Sequence, residues 1–279
     1  MRTTTATVPG FRLLRPLAHG GRLDTWDALD EARGTRCVVK LVREDRRHEP
    51  HVVAALEREA AIVCGLAHPH LVRGYELVAR DPDPPALVIE TLRGATLGAV
   101  VEAGGRDEPL ALPDVAELGG QLASVLAYLH RHDWLHLDVK PGNVVVDHGR
   151  AVLIDLGLAA RRGPDGRAAV PPGLGTRGYL APEQARGGPV SAAADVWGLA
   201  VTLVECLLGE APHGEEATWD SRRRWPLLRG RLPAPPRLPA DLPGEVAEVL
   251  LAALRHDPAA RPRLDDVRDV LAGHREPGP

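Results

Sequence analysis

One stretch of the chain concentrates reactive side chains: His136-Leu137-Asp138-Val139-Lys140-Pro141-Gly142-Asn143. It places a carboxylate, an ammonium two residues on, and an amide five residues on from the carboxylate. Asp155-Leu156-Gly157 begins twelve residues past Asn143, at the end of an apolar run. Such a set suits phosphoryl transfer. That chemistry asks for a carboxylate to orient and deprotonate a hydroxyl, hard oxygen ligands for Mg²⁺, and cations on the moving phosphate. Taken alone, Asp138 also reads as a carboxylate capping its own loop.

Composition makes these residues stand out. The 34 basic residues divide into 32 arginines and two lysines, Lys40 and Lys140, and Asn143 is the only asparagine. Where positive charge is nearly always written as Arg, a Lys marks a task for a compact ammonium on a flexible stem. The wider bias toward Ala, Gly, Pro and Arg fits a genome rich in G and C. A formal net charge of -4 argues against a chain that holds nucleic acid by neutralising phosphates. Cys37, Cys64 and Cys206 are too few and scattered for a disulfide framework, and their apolar surroundings suggest buried thiols. No apolar run is long enough for a membrane span, and the start carries no signal-peptide core. The expectation is a soluble, cytoplasmic protein.

Two kinds of element must position these groups. From Phe11 to Ile89 the text is strand-like with one helix. Leu17 to Leu29 reads as two strands around Gly20 and Gly21, and Cys37 to Val42 as a short strand covered on both faces. From His51 to Leu66, Val52, Val53, Leu56, Ala60, Val63 and Leu66 recur at helical spacing, and His68-Pro69 stops that helix. Two strands then end at Leu87-Val88-Ile89. After Glu90, Asp114 to His130 forms a long amphipathic helix. Val144 to Val146 and Val152 to Ile154 are short strands around the turn His148-Gly149. Ala193 to Leu208 is apolar nearly all round, hence a buried helix, and Glu245 to Arg255 and Asp265 to Leu271 are two more. The Pro-rich stretch Leu232 to Pro243 is a surface loop. The reactive loop therefore lies between a helix and a strand pair.

With these residues in place the chain resembles the eukaryotic-type protein kinase family, specifically bacterial serine/threonine kinases, over about residues 10–273. The catalytic-loop pattern matches at His136, Asp138, Lys140 and Asn143, and the metal-binding pattern at Asp155-Leu156-Gly157. Lys40 and Glu59 match the strand lysine and its helix partner. Gly175-Thr176, Tyr179-Leu180 and Ala181-Pro182-Glu183 match the end of the activation segment, and Asp195-Val196-Trp197-Gly198 the start of a buried helix. Arg261 matches the arginine that pairs with Glu183.

The resemblance implies an α+β, bilobal protein-kinase fold with a flexible leader (1–9), a kinase domain (10–273) and a tail (274–279). Within the domain, a small β-rich N-lobe with one main helix (10–89) leads through a hinge (90–94) to a larger, mainly helical C-lobe (95–273). ATP and Mg²⁺ or Mn²⁺ are the implied cofactors, and a protein Ser or Thr hydroxyl the acceptor. Asp138 would orient that hydroxyl as base, and Lys140 would neutralise the γ-phosphate. Lys40, held by Glu59, would bind the α- and β-phosphates, and Asn143 and Asp155 the metal. Ala18, Gly20, Gly21, Thr25, Val38 and Val145 would line the nucleotide, with Ile89 as gatekeeper and Glu90 and Leu92 offering backbone hydrogen bonds to adenine. Asp195 would hold the catalytic-loop backbone.

Four departures from the family stand out. The three-glycine pattern would run through Ala18, Gly20 and Leu23, so only its middle glycine remains, which predicts weak ATP affinity. Thr25 and Val38 replace the usual Val and Ala. Leu137 stands where many kinases place an Arg that receives an activation-segment phosphate, and residues 158–175 contain no Ser, Thr or Tyr. Receptor and phosphate are missing together, which predicts activity without activation-segment phosphorylation, the Arg- and Pro-rich loop being ordered by packing or by a regulatory protein partner. Finally, an apolar column would run through Val63, Gly74, His136 and Leu156, with Gly74 leaving a gap unless Tyr75 or Leu77 fills it.

Other readings compete. A pseudokinase scaffold is favoured by the worn glycine loop, Val38 and Gly74, and opposed by intact Lys40, Glu59, Asp138, Asn143 and Asp155. Aminoglycoside-type phosphotransferases share a similar catalytic loop but generally lack the Lys after the Asp and the Ala-Pro-Glu segment. Lys40–Glu59 could be a surface ion pair, worth under about 1 kcal/mol. Asp147, His130, His132 and His148 read as residues of solvated turns. Ser221-Arg222-Arg223-Arg224-Trp225 reads as a solvated face or a dock for acidic substrate segments.

Overall fold

The structure is a computed structural model describing residues 7–213 and 237–276. The Ser221 to Trp225 run and the first part of the Pro-rich loop lie outside the described residues. The chain divides into two compact units. One ends at Arg93 and also takes in Asp155–Gly157; the other holds Gly94–Ile154 and the chain from Leu158 onward.

The first unit is a five-stranded antiparallel sheet with one long helix. Its strands β1 (Phe11–His19), β2 (Leu23–Asp30), β3 (Thr35–Val42), β4 (Gly74–Arg80) and β5 (Asp83–Ile89) lie in the order β1-β2-β3-β5-β4. β3 is the buried strand that its apolar run predicts. Because side chains alternate across a strand, Cys37, Val39 and Leu41 join a core with Val8, Ala28, Ala86 and Val88, while Val38, Lys40 and Val42 point to the other face. Val8 is 4% exposed and belongs to that core, so packing begins ahead of the expected boundary at residue 10.

Helix α1 (Pro50–Gly65) starts with Pro at its first turn, where the missing N–H costs nothing, and stops at an extended Leu66 ahead of His68-Pro69. Its buried face carries Val52, Leu56, Glu59, Ala60 and Val63, together with Ala55 and Ile62. Cys64 corrects one expectation: it is exposed, while Cys37 and Cys206 are buried.

Gly74 corrects another. No gap exists there. A Cβ on Gly74 would stand 2.6 Å from Val63 Cγ2, 2.6 Å from Cys64 Sγ and 2.8 Å from the Cys64 backbone nitrogen. The residue is glycine because α1 packs directly onto the β4 backbone, next to a register irregularity between Gly74 and Glu76. Tyr75 and Leu77 fill nothing; both are exposed.

The second unit is mainly helical. It contains α2 (Leu97–Gly104), α3 (Leu112–Arg131), α4 (Pro182–Arg186), α5 (Ala193–Leu208), α6 (Gly244–Ala253) and α7 (Leu264–Ala272). α3, α5, α6 and α7 fall within a few residues of their periodic patterns, and α5 is buried along most of its length as expected. Short strands hold the loops. β6 (Ala95–Thr96), β8 (Val144–Asp147) and β9 (Arg150–Leu153) form one small sheet. β7 (Trp134–Leu135) pairs with β10 (Ala160–Arg161), and β11 (Ala168–Val170) with β12 (Gly188–Val190). The residues after α7 also pack: His274 bonds Glu245 at 2.8 Å, and Arg275 lies 3.3 Å from Glu117.

Gly74→Ala should lower the unfolding free energy by about 1–3 kcal/mol through overpacking against backbone. Denaturant titration would show a reduced midpoint at unchanged slope. Adding Cys64→Ala should not restore it, because the Cys64 nitrogen remains. A stabilised Gly74→Ala protein would mean that the gap exists after all.

Candidate active site

The first unit carries most of the groups expected to line a nucleotide. Antiparallel register sets Ala18 opposite Thr25, Thr25 opposite Lys40, and Val38 opposite Ile89, so these five residues share one face of the sheet. The β1–β2 turn closes through Gly20 N–H to Leu23 O at 2.9 Å. A Cβ on Gly20 would sit 2.9 Å from that same oxygen, so the hairpin itself demands this glycine; Gly21 faces open space. Glu90 exchanges two hydrogen bonds with the Arg73 backbone, and Leu92 is half-buried.

Lys40 Nζ lies 2.5 Å from Glu59 Oε1, and the pair is buried, with Lys40 7% and Glu59 0% exposed. The surface-pair reading is therefore wrong. Breaking one partner of such a pair typically costs about 3–5 kcal/mol. Burial works against the ammonium, but the charges of Glu59 and Asp155 outweigh it and hold the Lys40 pKa above its usual value. Burial is also the main reason the Glu59 carboxyl is pushed up, with Lys40 opposing and Asp155 adding to the push. α1 meets the Asp155-Leu156-Gly157 segment through Arg58, which donates to Gly157 O at 3.3 Å. Asp155 Oδ1 accepts from the Gly157 N–H at 3.0 Å.

The second unit builds the catalytic-loop constellation around Asp138. Its Oδ1 accepts from the Thr176 N–H at 2.9 Å, and its Oδ2 accepts from Asn143 Nδ2 at 3.0 Å and faces Lys140 Nζ at 3.0 Å. Lys140 Nζ also donates to Thr176 Oγ1 at 2.5 Å. Asn143 Nδ2 bonds the Asp138 carbonyl at 2.9 Å as well, so nitrogen is the end of the amide committed to the loop and oxygen the end suited to a cation. Asp138 is thus more than a loop cap: it joins two other reactive side chains, Lys140 and Asn143, to the Thr176 backbone. Val145 lies on β8, buried, paired with Thr96 and Val152.

The loop backbone hangs on Asp195. Its Oδ2 accepts from the His136 N–H at 2.9 Å and its Oδ1 from the Leu137 N–H at 2.7 Å, while His130 Nε2 sits 2.8 Å from Oδ2. Burial alone would raise this carboxyl, but His130, His136 and the Leu137 N–H together hold it below its usual range. His130 is therefore no residue of a solvated turn: the last turn of α3 buries it against Asp195. His132 and His148 are exposed as expected. Leu137, buried at 2%, adopts φ +66°, a left-handed backbone that costs a residue with a Cβ about 1–2 kcal/mol.

The activation segment is held throughout by the chain itself. Arg161 lies over the Trp134 ring, and the Arg162 guanidinium donates to the His130 carbonyl. A turn closes through Gly163 N–H to Arg167 O at 2.8 Å, and β11 pairs with β12. Tyr179 OH donates to Glu205 at 2.6 Å. Arg261 grips Glu183 with two bonds of 2.7 and 2.8 Å and stacks on Trp197.

Sequence reading missed Arg58, the Tyr179–Glu205 pair and Gln184. Gln184 is 2% exposed and donates from Nε2 to Leu137 O at 2.6 Å and Leu174 O at 2.5 Å. A signal for it existed: the chain has only two glutamines, Gln121 and Gln184, and scarcity had already singled out the lysines.

Comparison with known proteins points one way. The description "Protein kinase domain" matches residues 11–270. The chain is 31% identical to Serine/threonine-protein kinase PknA of Mycobacterium tuberculosis, covering 96% of this chain and 63% of that protein. It is 30% identical to Serine/threonine-protein kinase PrkC of Bacillus subtilis, over 90% of this chain and 38% of the relative. For Serine/threonine-protein kinase PknB of Mycolicibacterium smegmatis the figures are 31%, 92% and 42%. The chain thus spans less than two thirds of the length of these relatives. Among the described residues no helix is long and apolar enough to cross a membrane.

Asp195→Asn should destabilise the protein by about 1–3 kcal/mol, because an amide cannot accept at both positions and turns N–H toward N–H. Because the folded carboxyl lies below the ordinary value of 3.8, its stabilisation is complete above that pH and lost as pH falls through the folded value. Denaturant midpoints for the two proteins should stay a constant distance apart from neutral pH down to that value and converge below it. Convergence already near neutral pH would contradict the assignment.

Proposed function

This chain belongs to the protein kinase family, and on that premise we propose that it transfers the γ-phosphoryl group of ATP to Ser or Thr hydroxyls of a protein substrate. The observation that carries the reading is the Asp138 carboxylate, which is 7% exposed and held between the Thr176 N–H, Asn143 and Lys140. That arrangement fixes a base while keeping an ammonium beside it for the transferred phosphate. Lys140 on Thr176 Oγ1 supports Ser or Thr over Tyr as acceptor.

Asp138 orients and deprotonates the acceptor hydroxyl, and Lys140 meets the negative charge of the moving group. Lys40, kept charged and aimed by Glu59, binds the α- and β-phosphates. Ala18, Gly20, Gly21, Thr25, Val38, Ile89 and Val145 pack the nucleotide, and the backbones of Glu90 and Leu92 bond adenine. Asn143 and Asp155 offer one amide and one carboxylate oxygen, the hard donors that Mg²⁺ or Mn²⁺ takes alongside phosphate oxygens. When bound, the metal supplies charge neutralisation on the triphosphate. ATP as donor places the work in the cytoplasm.

The scaffold reading has lost one of its supports, since Gly74 marks close packing and not a gap. The worn glycine loop remains, and we assign it a raised KM for ATP. Residues 158–175 offer no hydroxyl to phosphorylate, and the segment's own strands, turn and arginines support an order that needs no phosphate. Control then falls to a regulatory protein partner.

With labelled ATP and Mg²⁺ or Mn²⁺, Asp138→Asn and Lys40→Ala should each lower transfer about 10²-fold or more. Phosphatase treatment of the wild type should leave its rate unchanged. Equal signal from all three proteins would end the enzymatic reading, and loss of activity with a phosphate from Thr176 would end the phosphate-independent one.

A further inference from the structure

The least comfortable residue of the catalytic loop stands directly before the proposed base. Leu137 keeps a left-handed backbone while buried, and such a conformation persists only where its surroundings over-determine it. Two buried side chains do so from opposite ends of the residue. Asp195 takes the Leu137 N–H at 2.7 Å, and Gln184 Nε2 donates to the Leu137 carbonyl at 2.6 Å. The same nitrogen donates to Leu174 O at 2.5 Å, so one amide engages a carbonyl of the catalytic loop and a carbonyl of the activation segment. The Gln184 backbone carbonyl adds bonds from the Gly173 and Gly187 N–H groups, each at 3.2 Å. Two residues beyond Leu174, the Thr176 N–H reaches Asp138 Oδ1 at 2.9 Å. Leu137, Asp138, Thr176, Leu174 and Gln184 thus form a closed circuit of covalent chain and hydrogen bonds.

We propose that Gln184 is a positioning residue for phosphoryl transfer: a neutral, permanent tie that joins the activation segment to the catalytic loop in place of a phosphate and its arginine. The proposal rests on the kinase reading. The chemistry requires an amide. A primary amide nitrogen supplies two donors, one for each carbonyl. A carboxylate would turn negative charge toward both oxygens, and an aliphatic side chain would leave two buried acceptors unpaired. Gly175 belongs to the same design, since a Cβ there would come within 2.9 Å of Gln184 Nε2 and 3.0 Å of Leu137 O.

The test compares wild type, Gln184→Leu and Gln184→Glu. Hydrogen exchange at residues 137–139 and 173–176, MgATP binding by calorimetry, and phosphate transfer to casein between about pH 5.5 and 8.5 are measured on each. In Gln184→Leu, exchange in both segments should quicken and kcat should fall about 10-fold or more, while MgATP affinity stays within about twofold. In Gln184→Glu the deficit relative to wild type should shrink as pH falls, because the protonated carboxyl regains one donor. Unchanged exchange, an unchanged kcat in Gln184→Leu, or a pH-independent deficit in Gln184→Glu overturns the proposal while leaving the kinase reading intact. Absence of transfer by wild type overturns both.

Discussion

A fully buried carboxylate, Asp195, carries the catalytic loop. Removing such a charge from water is expensive unless its oxygens are saturated with donors. Here the donors are the loop itself: the N–H groups of His136 and Leu137, joined by the His130 ring. The dependence runs both ways. Asp195 stays ionised because the loop faces it, and the loop keeps a left-handed Leu137 because Asp195 does not move. α5, buried along most of its length, supplies the fixed platform, so the apolar character of Ala193 to Leu208 sets the geometry of Asp138 at one remove.

The other unit solves a similar problem with opposite charges. Lys40 and Glu59 form a pair in which burial opposes both charges: Glu59 and Asp155 keep the ammonium, while Lys40 supports the Glu59 carboxylate against burial and against Asp155. As a device for stability this is poor, since a well-packed apolar set is often as good or better. Retaining it makes sense where the charges serve a further task. A cluster with two carboxylates around one ammonium has negative charge to share with a cation, and that is the electrostatic setting in which Mg²⁺ and a triphosphate add favourable interactions.

Long periodic segments were legible in the sequence because tertiary context leaves a 3.6-residue pattern intact over several turns. α1, α3, α5, α6 and α7 are of this kind. α2 spans eight residues between glycines, and β6, β7, β10, β11 and β12 have two or three residues each, too few to show any period. The candidate residues Lys40, Lys140 and Asn143 stood out for another reason: under a strong compositional bias, rare types draw attention to positions where substitution is costly. Packing was not legible. Gly74 looked like a missing side chain because a sequence cannot show that the neighbouring helix has moved in to contact the backbone. His130 and Cys64 were misplaced because burial within a helix depends on which turn meets a partner.

The same bias explains how the activation segment is held. A phosphorylated segment gains its order from a charge-assisted contact that appears on demand. On the proposed reading, this chain replaces that contact with parts that are always present. The β7–β10 and β11–β12 pairs, Arg162 on the end of α3, and Glu183 with Arg261 each fix one section of the segment. A neutral hydrogen bond is weaker than an arginine–phosphate pair, so the order must be distributed over many contacts and cannot rest on one. On the proposed phosphate-independent reading, distribution takes the place of a switch, because the order of the segment does not hang on one covalent event. Leu137 follows from this. Once no phosphate arrives, an arginine at that position would be a buried charge without a partner, and an apolar side chain is the lower-energy occupant of the same pocket.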